Sequence, residues 1–310
     1  MGLASSLSLS LDPDLLGVSL SRGGGPPVRY RDNVVRTPFV EGETFEASGD
    51  DLPTVPAVLV GCCKGQQVAG WSVPELAARC GGRRFEVDGG PGRARRSMAG
   101  ASVTLKDFEG YASRDGDGDD APLYIFDYRC LTSPPLQSEF SVPSCFSRDL
   151  QACITGSKFR PLPPAWLLVG SRRSGTPWHN HPTTVAWNYL ASGAKLWMCM
   201  PPEAADAQSG AFEGLPEAGG DDLDLAAAEC FLGWRQPLPA AARVIVQREG
   251  ETVFLPAGWW HVVLNVEEAT AISCSLALGR DVERLWGELE REDPEMAAFW
   301  RRAMDKEGNK

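Results

Sequence analysis

Histidine is scarce in this sequence, with 3 in 310 residues, and other absences exclude whole functional classes. No dense lysine or arginine run is present to neutralise a phosphate backbone, and a formal net charge of -11 argues against a general nucleic-acid binder. The short cluster Arg93, Arg95 and Arg96 reads as a solvated turn. The 9 cysteines contain no CxxC pair, so a zinc-finger spacing is missing, and their odd number does not describe a disulfide scaffold. A reducing intracellular compartment, nucleus or cytoplasm, is the expectation. No apolar run has the length of a membrane-spanning helix, and the N-terminal stretch, with Asp12, Asp14 and no early basic region, makes a poor signal peptide. The acidic stretch Asp115 to Asp120 fails as a calcium loop, because Asp120 and Phe126 stand where an EF-hand needs glycine and glutamate.

What is present is enough apolar material, 43% of the chain, for a sizeable core. Residues 1–35, broken by the GGGPP run at Gly23 to Pro27, read as a flexible arm, residues 36–280 as the main domain, and residues 281–310 as a helical tail. Ser72 with Glu75, and Thr104 with Asp107, have the spacing of helix N-caps, predicting helices over 73–79 and from about 105 to 112. Short β-branched runs at 55–62, 123–126, 165–200, 242–246, 252–255, 261–266 and 270–276 predict strands. They are interrupted by an acidic, glycine-bearing insertion at 203–228, read as a surface loop. Many short strands separated by glycine and proline turns point to a mainly β, double-sheet jelly roll with flanking helices. In the tail, Val282, Leu285, Trp286 and Leu289 form one apolar stripe, and Met296, Phe299 and Trp300 another. Such stripes pack on their own domain or serve as a homodimer face.

All the histidine falls in two glycine- and aromatic-rich segments. His179 and His181 are two residues apart, which on a strand points both to one face, and Pro182 places them at a strand end. His261 follows the turn Pro256, Ala257, Gly258. Three imidazoles can hold one ion and leave coordination positions open, although spacing alone does not name the metal.

These segments carry more than spacing. PLYIFD at 122–127, SGTPWHNHP at 174–182, AWNYLASGAKLW at 186–197 and GETVFLPAGWWHVVLN at 250–265 resemble, in order and separation, the JmjC-domain oxygenases. The resemblance covers roughly residues 55 to 280 and is strongest to the branch of the bifunctional arginine demethylase and lysyl hydroxylase. It implies a double-stranded β-helix, iron(II), 2-oxoglutarate and molecular oxygen. Position by position, it implies iron ligation by His179 and His261, with His181 standing where the family has aspartate. Lys195 and Thr176 match the residues that meet the far carboxylate of 2-oxoglutarate, with Lys195 expected between Trp187 and Trp197. Tyr124 matches the tyrosine lining the pocket, and Asn188 the asparagine beside the metal-bound end. Ser273 falls at a family threonine and Ser275 at a family asparagine. The implied reaction is hydroxylation or demethylation of a protein side chain, and the net negative charge favours a basic protein or peptide. Because His181 replaces a carboxylate, two other readings stay open: an inactive interaction module, and a three-histidine cupin dioxygenase that does not use 2-oxoglutarate.

Overall fold

The computed structural model describes residues 7–12, 17–22, 27–38, 51–88, 101–114, 122–160, 165–182, 184–207, 227–234 and 238–308. The stretch Asp115 to Asp120, the cluster at Arg93 to Arg96 and most of the 203–228 insertion lie outside the described residues.

Three strands, β1 (Leu7–Asp12), β2 (Gly17–Arg22) and β3 (Val28–Arg31), form a small antiparallel sheet. Within the expected flexible arm, these strands are a correction. Leu9, Val18 and Leu20 alternate with serine, and this period of two buries them with Tyr30 against Leu196, Met198 and Phe231. The Tyr30 hydroxyl donates to the Phe231 carbonyl.

The next strands are β4 (Arg36–Pro38), β5 (Ala57–Val60), β6 (Arg84–Asp88), β7 (Ser102–Thr104), β8 (Tyr124–Asp127), β9 (Ala165–Gly170) and β10 (Gly175–His179). After them come β11 (Val185–Ser192), β12 (Ala194–Met200), β13 (Arg243–Arg248), β14 (Glu251–Leu255), β15 (Trp260–Asn265) and β16 (Ala269–Leu276). Nine of these strands make one large sheet, in the order β4-β5-β14-β11-β16-β9-β8-β6-β7, and four make a second, β10-β15-β12-β13. All their pairings are antiparallel except β4 with β5. The two sheets face each other as a jelly roll of the cupin type.

Alternation along the strands divides the apolar residues among three layers. Val58, Trp197, Ile245, Val253, Leu255 and Val263 meet between the sheets. The far face of the large sheet packs Leu167, Val169, Trp187 and Phe254 against helices α1 (Val73–Cys80) and α2 (Leu105–Ala112). Both helices carry the expected caps: Ser72 Oγ accepts from the Glu75 amide at 3.4 Å, and Thr104 Oγ1 from the Asp107 amide at 3.1 Å. The outer face of the second sheet is covered by β1–β3 and by α3 (Ala227–Gly233).

The tail forms α4 (Val282–Glu292) and α5 (Pro294–Gly308), separated at Asp293, where the following proline cannot continue the hydrogen-bond ladder. Leu285, Leu289 and Trp300 are buried with Ile154 and Ala277, so the apolar stripe packs on its own chain. No described helix is long and apolar enough to cross a membrane.

Candidate active site

The candidate site lies between the two sheets, in a cavity of about 150 Å³ whose walls include His179, His181, His261, Tyr124, Thr176, Asn188, Lys195, Ser273 and Ser275. All of the residues singled out in the sequence are therefore brought together. The register explains how. His179 on β10 is the direct cross-strand partner of His261 on β15, and a register shift between Thr176 and His179 re-aims the strand end. His181 lies just beyond β10, where its carbonyl accepts the Gly258 amide at 2.8 Å. The ring centroids are 4.1 Å apart for His179 and His261, 5.1 Å for His179 and His181, and 5.3 Å for His181 and His261.

The three ligand atoms lie within 4.8 Å of one another. His179 Nδ1 is 2.8 Å from the Pro177 carbonyl and His261 Nδ1 is 3.1 Å from the Trp259 carbonyl, so in both rings Nδ1 carries the proton and Nε2 keeps its lone pair. This leaves Nε2 of both rings available to a metal. Among the described residues His181 lacks such a carbonyl brace. Burial lowers the affinity of all three rings for a proton. His181 is pulled down to about 4 by burial and then by the neighbouring His179, and His261 falls well below its ordinary value. Three neutral imidazoles fit a borderline-soft divalent ion, and they bring none of the negative charge that a carboxylate would supply.

At the other end of the cavity Lys195, on β12, is 1% exposed. Its ammonium donates to Asn265 Oδ1 at 2.8 Å and to the Tyr124 hydroxyl at 3.4 Å, and both partners are neutral. Desolvation pulls this lysine down to about 7. Burial raises the Tyr124 phenol, opposed by a hydrogen bond with Thr176. An enclosed cation with neutral partners, opposite a metal-type cluster, fits a ligand that carries a carboxylate at one end and chelating oxygens at the other.

Asn188 and Ser273 face each other across β11 and β16. Ser273 Oγ donates to the Trp187 carbonyl at 3.4 Å. Gln247 Nε2 donates to the Asn188 carbonyl at 2.8 Å, while Gln247 Oε1 accepts from Trp197 Nε1 at 2.9 Å. Trp187, expected beside Lys195, stacks instead on Phe146 at 4.7 Å, because the strand points Asn188 inward and its neighbour outward.

Four residues of the site are not singled out by any motif or spacing considered above. Asn265 and Gln247 are fully buried partners of the pocket residues, and Phe126 and Trp166 line the cavity with their rings 4.4 Å apart. The period of two carries the signal for the first, since His261, Val263 and Asn265 share one strand face.

Comparison with known proteins agrees with this geometry. The family described as "JmjC domain, hydroxylase" matches residues 166–275. The chain is 32% identical to the lysine-specific demethylase JMJ21 of Arabidopsis thaliana over 66% of its own length and 21% of that protein. It is 28% identical to the bifunctional arginine demethylase and lysyl-hydroxylase psr-1 of Caenorhabditis elegans, over 89% of its own length and 68% of that protein. The human 2-oxoglutarate and iron-dependent oxygenase JMJD4 is 26% identical over 65% of the chain and 49% of that protein. The chain thus spans less than half of the plant and human relatives. With the jelly roll and the inward-facing imidazoles already established, the segment from Trp166 to Ser275 is a JmjC domain.

Proposed function

We propose that this chain is an iron(II)- and 2-oxoglutarate-dependent oxygenase acting on a cationic side chain of a protein, by lysine hydroxylation or N-methyl-arginine demethylation. The observation that carries the reading is Lys195, a buried ammonium with neutral partners in the same cavity as three ligand-ready imidazoles. The relatives' names describe demethylases, a lysyl-hydroxylase and an oxygenase, and the net charge of -11 suits a basic protein or peptide within the nucleus or cytoplasm. All nine cysteines are free, as a reducing compartment would keep them.

In this reading His179, His181 and His261 hold iron(II). Lys195 and Thr176 would receive the far carboxylate of 2-oxoglutarate, Tyr124 and Ser273 would line its pocket, and Asn188 would lie beside its metal-bound end. The bound metal and co-substrate supply the oxidising chemistry. The chain's own residues orient the dianion between a cation and a metal, hold two imidazoles in one tautomer through the Pro177 and Trp259 carbonyls, and exclude water with Trp197, Leu255 and Val263. Phe126 and Trp166 stand on the cavity wall and Phe126 is 43% exposed, which suits these rings to contact an entering substrate side chain.

His181 in place of a carboxylate favours one rival, a site that binds metal and co-substrate without turnover. The test is anaerobic loading of the purified chain with iron(II), followed by oxygen, 2-oxoglutarate and a panel of lysine- and methyl-arginine-bearing peptides. Succinate above a His179→Ala control supports the oxygenase, and its absence across the panel overturns it.

A further inference from the structure

We infer that Asn265 sets the charge selectivity of the co-substrate pocket, by holding the Lys195 ammonium in place without neutralising it. The inference rests on the 2-oxoglutarate reading and names the residue that makes the pocket demand an anion. A buried ammonium is costly unless it is paired and hydrogen-bonded, and a carboxylate is its usual partner. Asn265 occupies the position such a carboxylate would take. It is the direct cross-strand partner of Lys195, is fully buried, and places Oδ1 2.8 Å from the ammonium. Aspartate has nearly the same shape, so size does not dictate the amide. The difference is charge: an aspartate would satisfy Lys195 internally, whereas the amide offers a hydrogen bond and leaves the positive charge for a ligand.

The surroundings fix which way the amide faces. Asn265 Nδ2 donates to Ser174 Oγ at 2.9 Å, and the Ser174 hydroxyl in turn donates to the Ser171 carbonyl at 2.6 Å. Donation therefore runs one way, from Lys195 through Asn265 and Ser174 to a backbone oxygen, and only Oδ1 can face the ammonium. The backbone is held as firmly. The Asn265 amide donates to the Ser174 carbonyl at 2.8 Å, and the Asn265 carbonyl accepts from the Arg173 amide at 2.8 Å. The other neighbour of the ammonium, the Tyr124 hydroxyl at 3.4 Å, is uncharged as well.

The test compares two ligands of nearly identical shape, 2-oxoglutarate and 2-oxoglutaramate, in which the far carboxylate is an amide. Calorimetric titration uses the full chain loaded with zinc(II), so binding is read without turnover. In the natural chain 2-oxoglutarate is expected to bind about tenfold or more tightly than the amide, the size of one charge-assisted hydrogen bond. Asn265→Asp is expected to lose about tenfold in 2-oxoglutarate affinity and to bring the ratio of the two ligands close to one, with zinc affinity unchanged. Ser174→Ala, which lets the amide turn, is expected to lower the same ratio by a smaller factor and serves where Asn265→Asp does not fold. A ratio that stays at its natural value in these variants makes Asn265 a structural residue and overturns the inference. A natural chain that binds neither ligand overturns the 2-oxoglutarate reading itself, and the selectivity assigned to Asn265 falls with it.

Discussion

Gly258 donates its backbone amide to the carbonyl of His181 at 2.8 Å, so the turn that delivers His261 is tied to the strand end that delivers His181. A second tie comes from α4, where Arg284 Nη1 donates to the Pro182 carbonyl at 2.5 Å. A side chain at Gly258 would meet Pro202 and Arg284, and its φ of 81° suits glycine. Helix α4 therefore braces the metal-type cluster from outside. Arg284→Ala is expected to weaken zinc or cobalt binding by about tenfold, in the range typical for residues that orient ligands. Arg284→Lys should recover part of the loss. Competition against a chromophoric chelator measures both, and equal affinities in all three proteins would remove Arg284 from the site.

His181→Asp restores a carboxylate beside His179 and His261. Neutral imidazoles favour zinc, nickel and copper over iron, while a carboxylate supplies charge and a harder donor. The variant is expected to shift metal preference toward iron(II), read as metal content after equilibration with an equimolar iron and zinc mixture under anaerobic conditions. Succinate formation that appears only in the variant identifies the natural chain as a lapsed oxygenase. Succinate from both shows that a third imidazole suffices.

Much of this arrangement was legible in the sequence because it depends on local periodicity. The strand containing His261, the caps at Ser72 and Thr104, and the break at Pro294 each follow from a few adjacent residues. Features set by distant pairings were not legible. The first strands read as a flexible arm because GGGPP dominates that region, although Leu9, Val18 and Leu20 alternate with serine and find their burial on a sheet formed more than 150 residues later, around Leu196 and Met198. Asn265 shares a strand face with His261 in the sequence, but its partner is defined only once β15 pairs with β12 and places it opposite Lys195.

Gly170→Ala tests how closely the pocket is packed. A Cβ there would lie 2.1 Å from Asn265 Nδ2, 2.5 Å from Ser174 Oγ and 2.7 Å from Tyr124 Cδ2. None of these neighbours can yield without breaking the chain of donation from Lys195. Overpacking of this kind costs about 1–3 kcal/mol. The expected result is a lower unfolding midpoint in denaturant together with loss of 2-oxoglutarate binding, while zinc binding by the three histidines persists. Parallel loss of both ligands would mean that the damage spreads through the second sheet.

The last prediction concerns pH. Burial pulls Lys195 from 10.5 to about 7, and the titratable group facing it, the Tyr124 phenol, is pushed upward and stays protonated over this range. Below pH 7 the ammonium is charged in both the folded and unfolded chain. Between about 7 and 10.5 the ligand-free fold has released the proton while the unfolded chain retains it, so this group makes stability rise with pH across that window. Binding responds in the opposite direction. A carboxylate at Lys195 restores the proton, so above pH 7 each binding event takes one up from solution, and 2-oxoglutarate affinity should fall by up to about tenfold per pH unit. Titrations of the zinc-loaded chain at pH 6.5, 7.5 and 8.5, in buffers of differing ionisation enthalpy, measure both the affinity and the proton taken up (the pH values are roughly one unit apart to span the lysine's transition). Lys195→Met removes the charge and should abolish the pH effect along with most of the affinity, while raising the stability of the ligand-free chain by on the order of 1–3 kcal/mol, since the variant no longer buries an ammonium. A natural chain whose affinity is level from pH 6.5 to about 8.5 would place the proton, and the carboxylate, somewhere other than Lys195.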